Sequence, residues 1–114
     1  MSDKDRSVNV AEFLYCLVEM IEHEDEKIIE WCGGKLIIQD PPKLESDILS
    51  DYFGHSNYSS FQRQLTNFGF HKIWGRGKMA RCCYKNRRTT LELNSILTLK
   101  VRNFFLYAHH RLTD

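Results

Sequence analysis

Residues 59–73, reading Ser-Ser-Phe-Gln-Arg-Gln-Leu-Thr-Asn-Phe-Gly-Phe-His-Lys-Ile, decide the fold. Ser59 and Gln62 have the spacing of a capping box, in which each side chain satisfies an amide that the first helical turn leaves open. Gly69 supplies the left-handed stop that ends a helix. At about 100° per residue, Phe61, Leu65 and Phe68 fall in one narrow stripe, the edge that faces a core. Arg63 lies on the far side of that wheel, with Ser60, Gln62, Gln64, Thr66 and Asn67 spread around it. A surface helix offering Arg, Gln, Asn, Ser and Thr but no acid suits the donor and acceptor edges of bases in a DNA major groove. An ordinary solvated amphipathic helix has the same outline, so the charge layout has to separate the two.

The 114 residues amount to one domain, large enough for a single core without disulfides or metals. The net charge of +1 conceals a split by position. Residues 1–53 hold five Lys/Arg and thirteen Asp/Glu, a balance of −8, whereas residues 54–114 hold eleven and two, a balance of +9. Between Tyr52 and Leu91 there is no acid, while Arg63, Lys72, Arg76, Lys78, Arg81, Lys85, Arg87 and Arg88 all fall there. If the halves fold together, one side is basic and the other acidic, the footprint of a phosphate-binding face. A basic segment that binds an acidic protein is the other reading, and it accounts for the apolar stripe less well.

Cys16, Cys32, Cys82 and Cys83 show no paired spacing, and no secretory leader precedes the first helix, so a reduced intracellular compartment is expected. Cys82 and Cys83 with His109 and His110 lack the two-residue gap of a zinc knuckle. In Trp31-Cys32-Gly33-Gly34-Lys35 a lysine stands where a thioredoxin-like site needs its second cysteine. No metal site and no cofactor is therefore expected. No apolar run approaches the length of a membrane span. Ser, His and Asp occur in no spacing that pairs a nucleophile with a base, so neither catalysis nor a small-molecule substrate is expected.

Along the chain, Asn9 followed by Glu12 caps a first helix to about His23, with Val10, Phe13, Leu14, Leu17, Val18 and Ile21 on its inner face. Two β-rich runs, 28–32 and 35–39, flank Gly33-Gly34 as a hairpin. Asp40-Pro41-Pro42 starts a second helix whose inner face is Leu44, Ile48, Leu49, Tyr52 and Phe53. A turn at 54–57 leads into the helix quoted first. Strands at 70–74 and 79–84 follow, joined by the tip Gly75-Arg76-Gly77-Lys78, which is too short for a phosphate-binding P-loop. Thr89 and Glu92 form another capping box, opening a last helix from about Thr90 to His110. Its apolar positions are Leu93, Ile96, Leu97, Val101, Phe104 and Phe105. Leu93 and Leu97 are expected to cover the sheet, with Ile96 at the margin. The fold class is α+β: a winged helix-turn-helix, a three-helix bundle with a small four-stranded antiparallel sheet and a C-terminal helix. Residues 1–9 read as an N-terminal extension, 10–101 as the domain and 102–114 as a C-terminal helix extension.

In order along the chain come Phe13, Leu14 and Leu17, then Trp31, Asp40, Tyr52, Phe53 and His55. Asn57, Ser60, Phe61, Arg63, Gln64, Leu65, Gly69, Phe70 and Lys72 follow, with Ile73 where a Val is usual. Over about residues 10–101 this pattern resembles the DNA-binding domain of heat-shock transcription factors. The resemblance implies a nuclear transcription regulator of the stress response that binds double-stranded DNA carrying GAA repeats, with helix 60–68 in the major groove. It gives Arg63 the reading of guanine, whose O6 and N7 match two parallel guanidinium donors. Ser60, Gln64 and Lys72 flank or support that contact, and Lys100 falls near a basic pair that touches phosphate. With these, Thr66, Asn67, His55, Asn57, Arg76 and Lys78 complete the expected DNA-binding set.

The pattern is broken at four places. Thr66 stands for Asn, Phe68 for Tyr, His71 for Arg and Gly54 for Lys, each removing a donor or a charge, so DNA contact is expected to be weaker or altered. The hairpin tip is shorter than the family's loop, which serves contacts between neighbouring domains. The chain stops before the heptad region by which such factors trimerise. It is read as an excised domain or a minimal member, a monomer on one half-site, with other copies of itself engaged through regions absent from it. The alternative is a degenerate winged helix used for protein contacts, through the acidic half or through Phe104-Phe105-Leu106-Tyr107.

Overall fold

The computed structural model describes residues 10–54 and 56–100, and for Val10 and Ala11 the backbone alone. Helix α1 (Val10–His23) sends Phe13, Leu14, Leu17, Val18 and Met20 into the core, with Ile21 packed at its margin. This is the three-and-four spacing of a one-sided helix. The cap at Asn9 lies outside the described residues. Strands β1 (Ile29–Cys32) and β2 (Lys35–Ile38) pair antiparallel around Gly33 and Gly34, whose φ angles of 61° and 78° meet the double left-handed requirement of a two-residue hairpin.

Helix α2 covers residues 41–53 and is not uniform. Its α-helical ends, Pro41–Lys43 and Leu49–Phe53, flank a π-helical turn at Leu44–Ile48. Asp40 caps it as expected, its carboxylate accepting from the amide of Lys43 at 3.2 Å. Leu44, Ile48 and Leu49 are buried, while Tyr52 and Phe53 pack at the edge.

Helix α3 (Tyr58–Asn67) begins earlier than the capping-box reading places it. Asn57, not Ser59, is the cap. Its backbone is extended, its Oδ1 accepts from the amide of Ser60 at 2.9 Å, and its carbonyl accepts from that of Phe61 at 3.1 Å. Gln62 turns away from the helix start and donates to the Tyr84 hydroxyl at 2.8 Å. A largely buried phenol competes for that amide better than a solvated turn does. The apolar stripe stands as read: Phe61, Leu65 and Phe68 are buried, and Phe68 stacks on Phe13 with 5.5 Å between ring centroids. Gly69 follows with φ 97°.

Strands β3 (His71–Trp74) and β4 (Cys82–Lys85) complete one antiparallel sheet in the order β1-β2-β4-β3. Leu36 faces Tyr84 and Ile38 faces Cys82 across the central pair, and all four are buried against the helices. The β3–β4 connection is wider than a four-residue tip. It runs over residues 75–81, because Met79 packs against the core instead of extending β4.

The last element corrects the sequence reading. In place of a helix opening at Thr90, a 3₁₀ turn occupies Leu93–Thr98, and Leu99 leaves it extended (φ −73°, ψ 160°). Hydroxyls take the backbone groups that an α-helical ladder needs. Thr90 Oγ1 accepts from the amide of Glu92 at 3.1 Å, Ser95 Oγ donates to the carbonyl of Glu92 at 2.6 Å, and Thr89 turns back to the carbonyl of Asn86 at 3.2 Å. A period of about three residues then aligns Leu93, Ile96 and Leu99. Ile96 and Leu99 are therefore buried and Leu97 is exposed, the reverse of the expected roles of Ile96 and Leu97. The indole of Trp31 donates to the carbonyl of Leu91 at 3.0 Å and fastens this segment to β1. Val101, Phe104, Phe105, His109 and His110 lie outside the described residues. Among the described residues no cluster of His, Cys, Asp and Glu is placed to hold a metal, and no helix is long and apolar enough to cross a membrane.

Candidate nucleic-acid interface

Ser59, Arg63 and Thr66 are the exposed positions of α3, with Ser60, Gln64 and Asn67 half-exposed beside them. Arg63 thus stands opposite the buried Phe61–Leu65 edge, as the helical wheel requires. Thr66 Oγ1 donates to the carbonyl of Gln62 at 3.2 Å, so its proton serves the helix and only acceptor capacity faces outward. His55 lies outside the described residues.

At the start of α3 an open cleft of about 540 Å³ is lined by Glu45, Ser56, Asn57, Tyr58, Ser59, Lys78 and Met79. The β3–β4 connection is anchored by Met79 and so brings Lys78 to the first turn of α3, together with Asn57. Arg76 is exposed in the same connection but does not line the cleft. Glu45 is an acid the sequence reading missed here. Its Oε2 accepts from the amide of Tyr58 at 3.0 Å. No linear pattern couples residues thirteen apart on two helices.

At the other end of α3 a second cleft, about 440 Å³, gathers His71, Arg87, Arg88 and Lys100 around Phe68, Gly69 and Asn86. Arg87 and Arg88 join the expected Lys100 here, and the sequence signal for them is their place in the acid-free stretch. Among the described residues none of these four cationic or titratable side chains has an acidic partner. Between the clefts, Lys72 sits on β3 opposite Tyr84, its Nζ 6.0 Å from that ring, at the outer limit of a cation–π contact. Arg81 is occupied elsewhere: it stacks over Trp74 at 4.8 Å and donates to Gln39, which in turn donates to Glu30.

The phenols do not dilute this basic face. Burial pushes the Tyr58 hydroxyl far above the ordinary tyrosine range, reinforced by its contact with Cys82 Sγ at 3.7 Å. Burial also raises Tyr84, partly opposed by the bond from Gln62. Both are neutral at physiological pH, and the charge is set by lysine and arginine.

Two helices joined by a short turn, backed by a sheet whose last hairpin folds beside the start of the second helix, define a winged helix-turn-helix protein. A family model described as HSF-type DNA-binding matches residues 13–112, and the chain belongs to that family. The heat shock factor protein HSF8 of Solanum peruvianum is 38% identical over 64 residues, covering 54% of this chain and 12% of that protein. Heat stress transcription factor A-1a of Arabidopsis thaliana is 39% identical over 64 residues, covering 54% and 13%. The chain thus spans about an eighth of the length of these curated relatives. Among solved structures, Chaetomium thermophilum Skn7 with HSE DNA aligns with a TM-score of 0.64 at 26% identity, over 78% of this chain and 98% of that one. A heat shock transcription factor/DNA complex aligns at 0.59 and 32%, over 67% and 94%.

Proposed function

We propose that this domain binds double-stranded DNA sequence-specifically as the DNA-reading part of a heat-shock-factor-like transcription regulator in the nucleus. Helix α3 enters the major groove and Arg63 donates its paired N–H groups to a guanine of a GAA-type element. The observation that carries this reading is the position of Arg63, exposed on an acid-free helix between two clefts that hold Lys78 at one end and Arg87, Arg88 and Lys100 at the other. Ser60, Gln64 and Asn67, half-exposed on the same helix, accompany it at base edges or backbone in this reading. Lys72 lies on the strand that follows and supplies a phosphate contact. The relatives named above, heat stress transcription factors and domains solved with DNA, support the same assignment.

Titration of GAA-repeat and scrambled duplexes tests it. Arg63→Ala is expected to cost about 1–3 kcal/mol on the GAA duplex and much less on the scrambled one. Equal losses on both would reduce Arg63 to a phosphate contact. Absence of binding to either duplex would favour a protein-contact role.

A further inference from the structure

The first turn of a helix presents amides without intrahelical partners and the positive end of the helix dipole. In a recognition helix those groups are natural holders of backbone phosphate. In α3 the place is already occupied. Glu45 projects from the π-helical turn of α2 and sets Oε2 3.0 Å from the amide of Tyr58, the first residue of α3. Asn57 holds the amide of Ser60 at 2.9 Å. Both residues line the cleft into which Lys78 comes from the β3–β4 connection.

A carboxylate here has a structural use, since it ties α2 to α3 and complements the dipole. A neutral side-chain carbonyl would accept the same hydrogen bond, however. What the carboxylate adds is a negative charge at the edge of a face built from residues 52–91, where every charged side chain is cationic. Its repulsion acts on the phosphate backbone and not on bases, and it opposes the attraction of Lys78 across the same cleft.

We infer that Glu45 is an affinity-determining residue whose carboxylate stands in for a backbone phosphate at the start of α3 and holds DNA binding below what the cations alone would give. This rests on the DNA-binding reading above. Glu45 limits general attraction to duplexes and leaves discrimination to Arg63.

Glu45→Gln keeps the acceptor and nearly the volume while removing the charge. At about 50 mM salt it is expected to tighten binding to GAA-repeat and scrambled duplexes alike, by roughly three- to tenfold, with the gain shrinking as salt shortens the screening length. Glu26→Gln removes an exposed acid beside β1, at the opposite edge of the sheet from β3, and should change little. In the Glu45→Gln background Lys78→Gln should lower the salt slope by about 0.9, the value of one phosphate contact, and in the native sequence by less, because Glu45 opposes Lys78 there. Glu45→Ala also deletes the cap bond, so it should gain affinity while its urea midpoint falls. Native-level or weaker binding by Glu45→Gln, with Arg63-dependent selectivity intact, overturns this inference alone and leaves Glu45 a cap. An equal gain from Glu26→Gln overturns it as a mere net-charge effect. If neither the native protein nor Glu45→Gln binds either duplex, the inference and the DNA-binding reading fall together.

Discussion

The side-chain amide of Asn86 donates to the carbonyl of Phe68 at 2.9 Å. Its oxygen accepts from the amide of Arg88 at 2.8 Å, so one residue, only 4% exposed, joins the end of α3 to the turn bearing Arg87 and Arg88. Apart from the buried tyrosines and cysteines, it is the one buried polar side chain among the described residues. A helix C-terminus leaves carbonyls without partners, and here a strand-end amide supplies one. The arginine turn is thereby held at a fixed place relative to α3.

Asn86→Ala should therefore destabilise the domain by about 2–3 kcal/mol, because two bonds vanish and the Phe68 carbonyl is left enclosed without a donor. Urea unfolding measures it. Asn86→Asp is expected to be at least as damaging, since it sets a carboxylate against that carbonyl. A loss below about 0.5 kcal/mol for the alanine variant would mean that solvent reaches the site and replaces both bonds.

The bond from Gln62 to the Tyr84 hydroxyl is a polar link between α3 and the sheet, beside the contact of the Tyr58 hydroxyl with Cys82 Sγ. Tyr84→Phe and Gln62→Ala should each cost on the order of 1 kcal/mol, and the double variant should cost less than the sum. Strict additivity in that cycle would show that the two side chains do not act together.

Stability should also fall at alkaline pH for a reason the tyrosines make explicit. Burial and a 2.7 Å bond to Glu24 push the Tyr52 hydroxyl up to about 12, and burial raises Tyr58 and Tyr84 as well. In the unfolded chain these phenols ionise near pH 10. Between about pH 10 and 12 the unfolded state has therefore lost protons that the native state retains, so stability declines as pH rises through that window. Below pH 10 their contribution is complete. Urea midpoints measured from pH 8 to 11.5 should fall, and Tyr52→Phe should flatten the decline. A decline of undiminished slope in Tyr52→Phe would assign the alkaline loss to other groups.

Periodicity carried most of the fold. The core faces of α1 and α3 and the Gly33-Gly34 hairpin are local patterns of 3.6 and 2, and they are readable because neighbours in sequence make them. The misreadings have local causes of another kind. Ser59-x-x-Gln62 satisfies the capping-box pattern, yet Asn57 two residues earlier offers an equally good acceptor, and Tyr84 draws Gln62 away. Thr89, Thr90, Ser95 and Thr98 look compatible with a helix until their hydroxyls are assigned to backbone partners, after which only a 3₁₀ turn remains. The π turn in α2 leaves no sequence mark at all. The site divides the same way: Arg63 follows from the helical wheel, whereas Glu45, Arg87 and Arg88 reach it through contacts between elements, which no spacing in the chain encodes.

The arginine turn provides the sharpest test of where DNA backbone runs. The adjacent Arg87 and Arg88 and the more distant Lys100 meet in one cleft beside the end of α3, with His71 at its rim and no acid among its lining residues. Like charges held together repel, and Asn86 fixes the turn in place, so the arrangement favours an anion bridging them. Arg87→Gln with Arg88→Gln should weaken GAA-repeat and scrambled duplexes by the same factor and lower the salt slope by about 1.8, two contacts at 0.9 each. Arg76→Gln with Lys78→Gln should lower it by less, since Arg76 does not line either cleft and Glu45 opposes Lys78. Selectivity between the duplexes should survive both pairs, because neither touches Arg63. An unchanged slope in the Arg87/Arg88 variant, with an unchanged urea midpoint, would mean that phosphates do not pass the end of α3, and the docking of this helix along the groove would have to be redrawn.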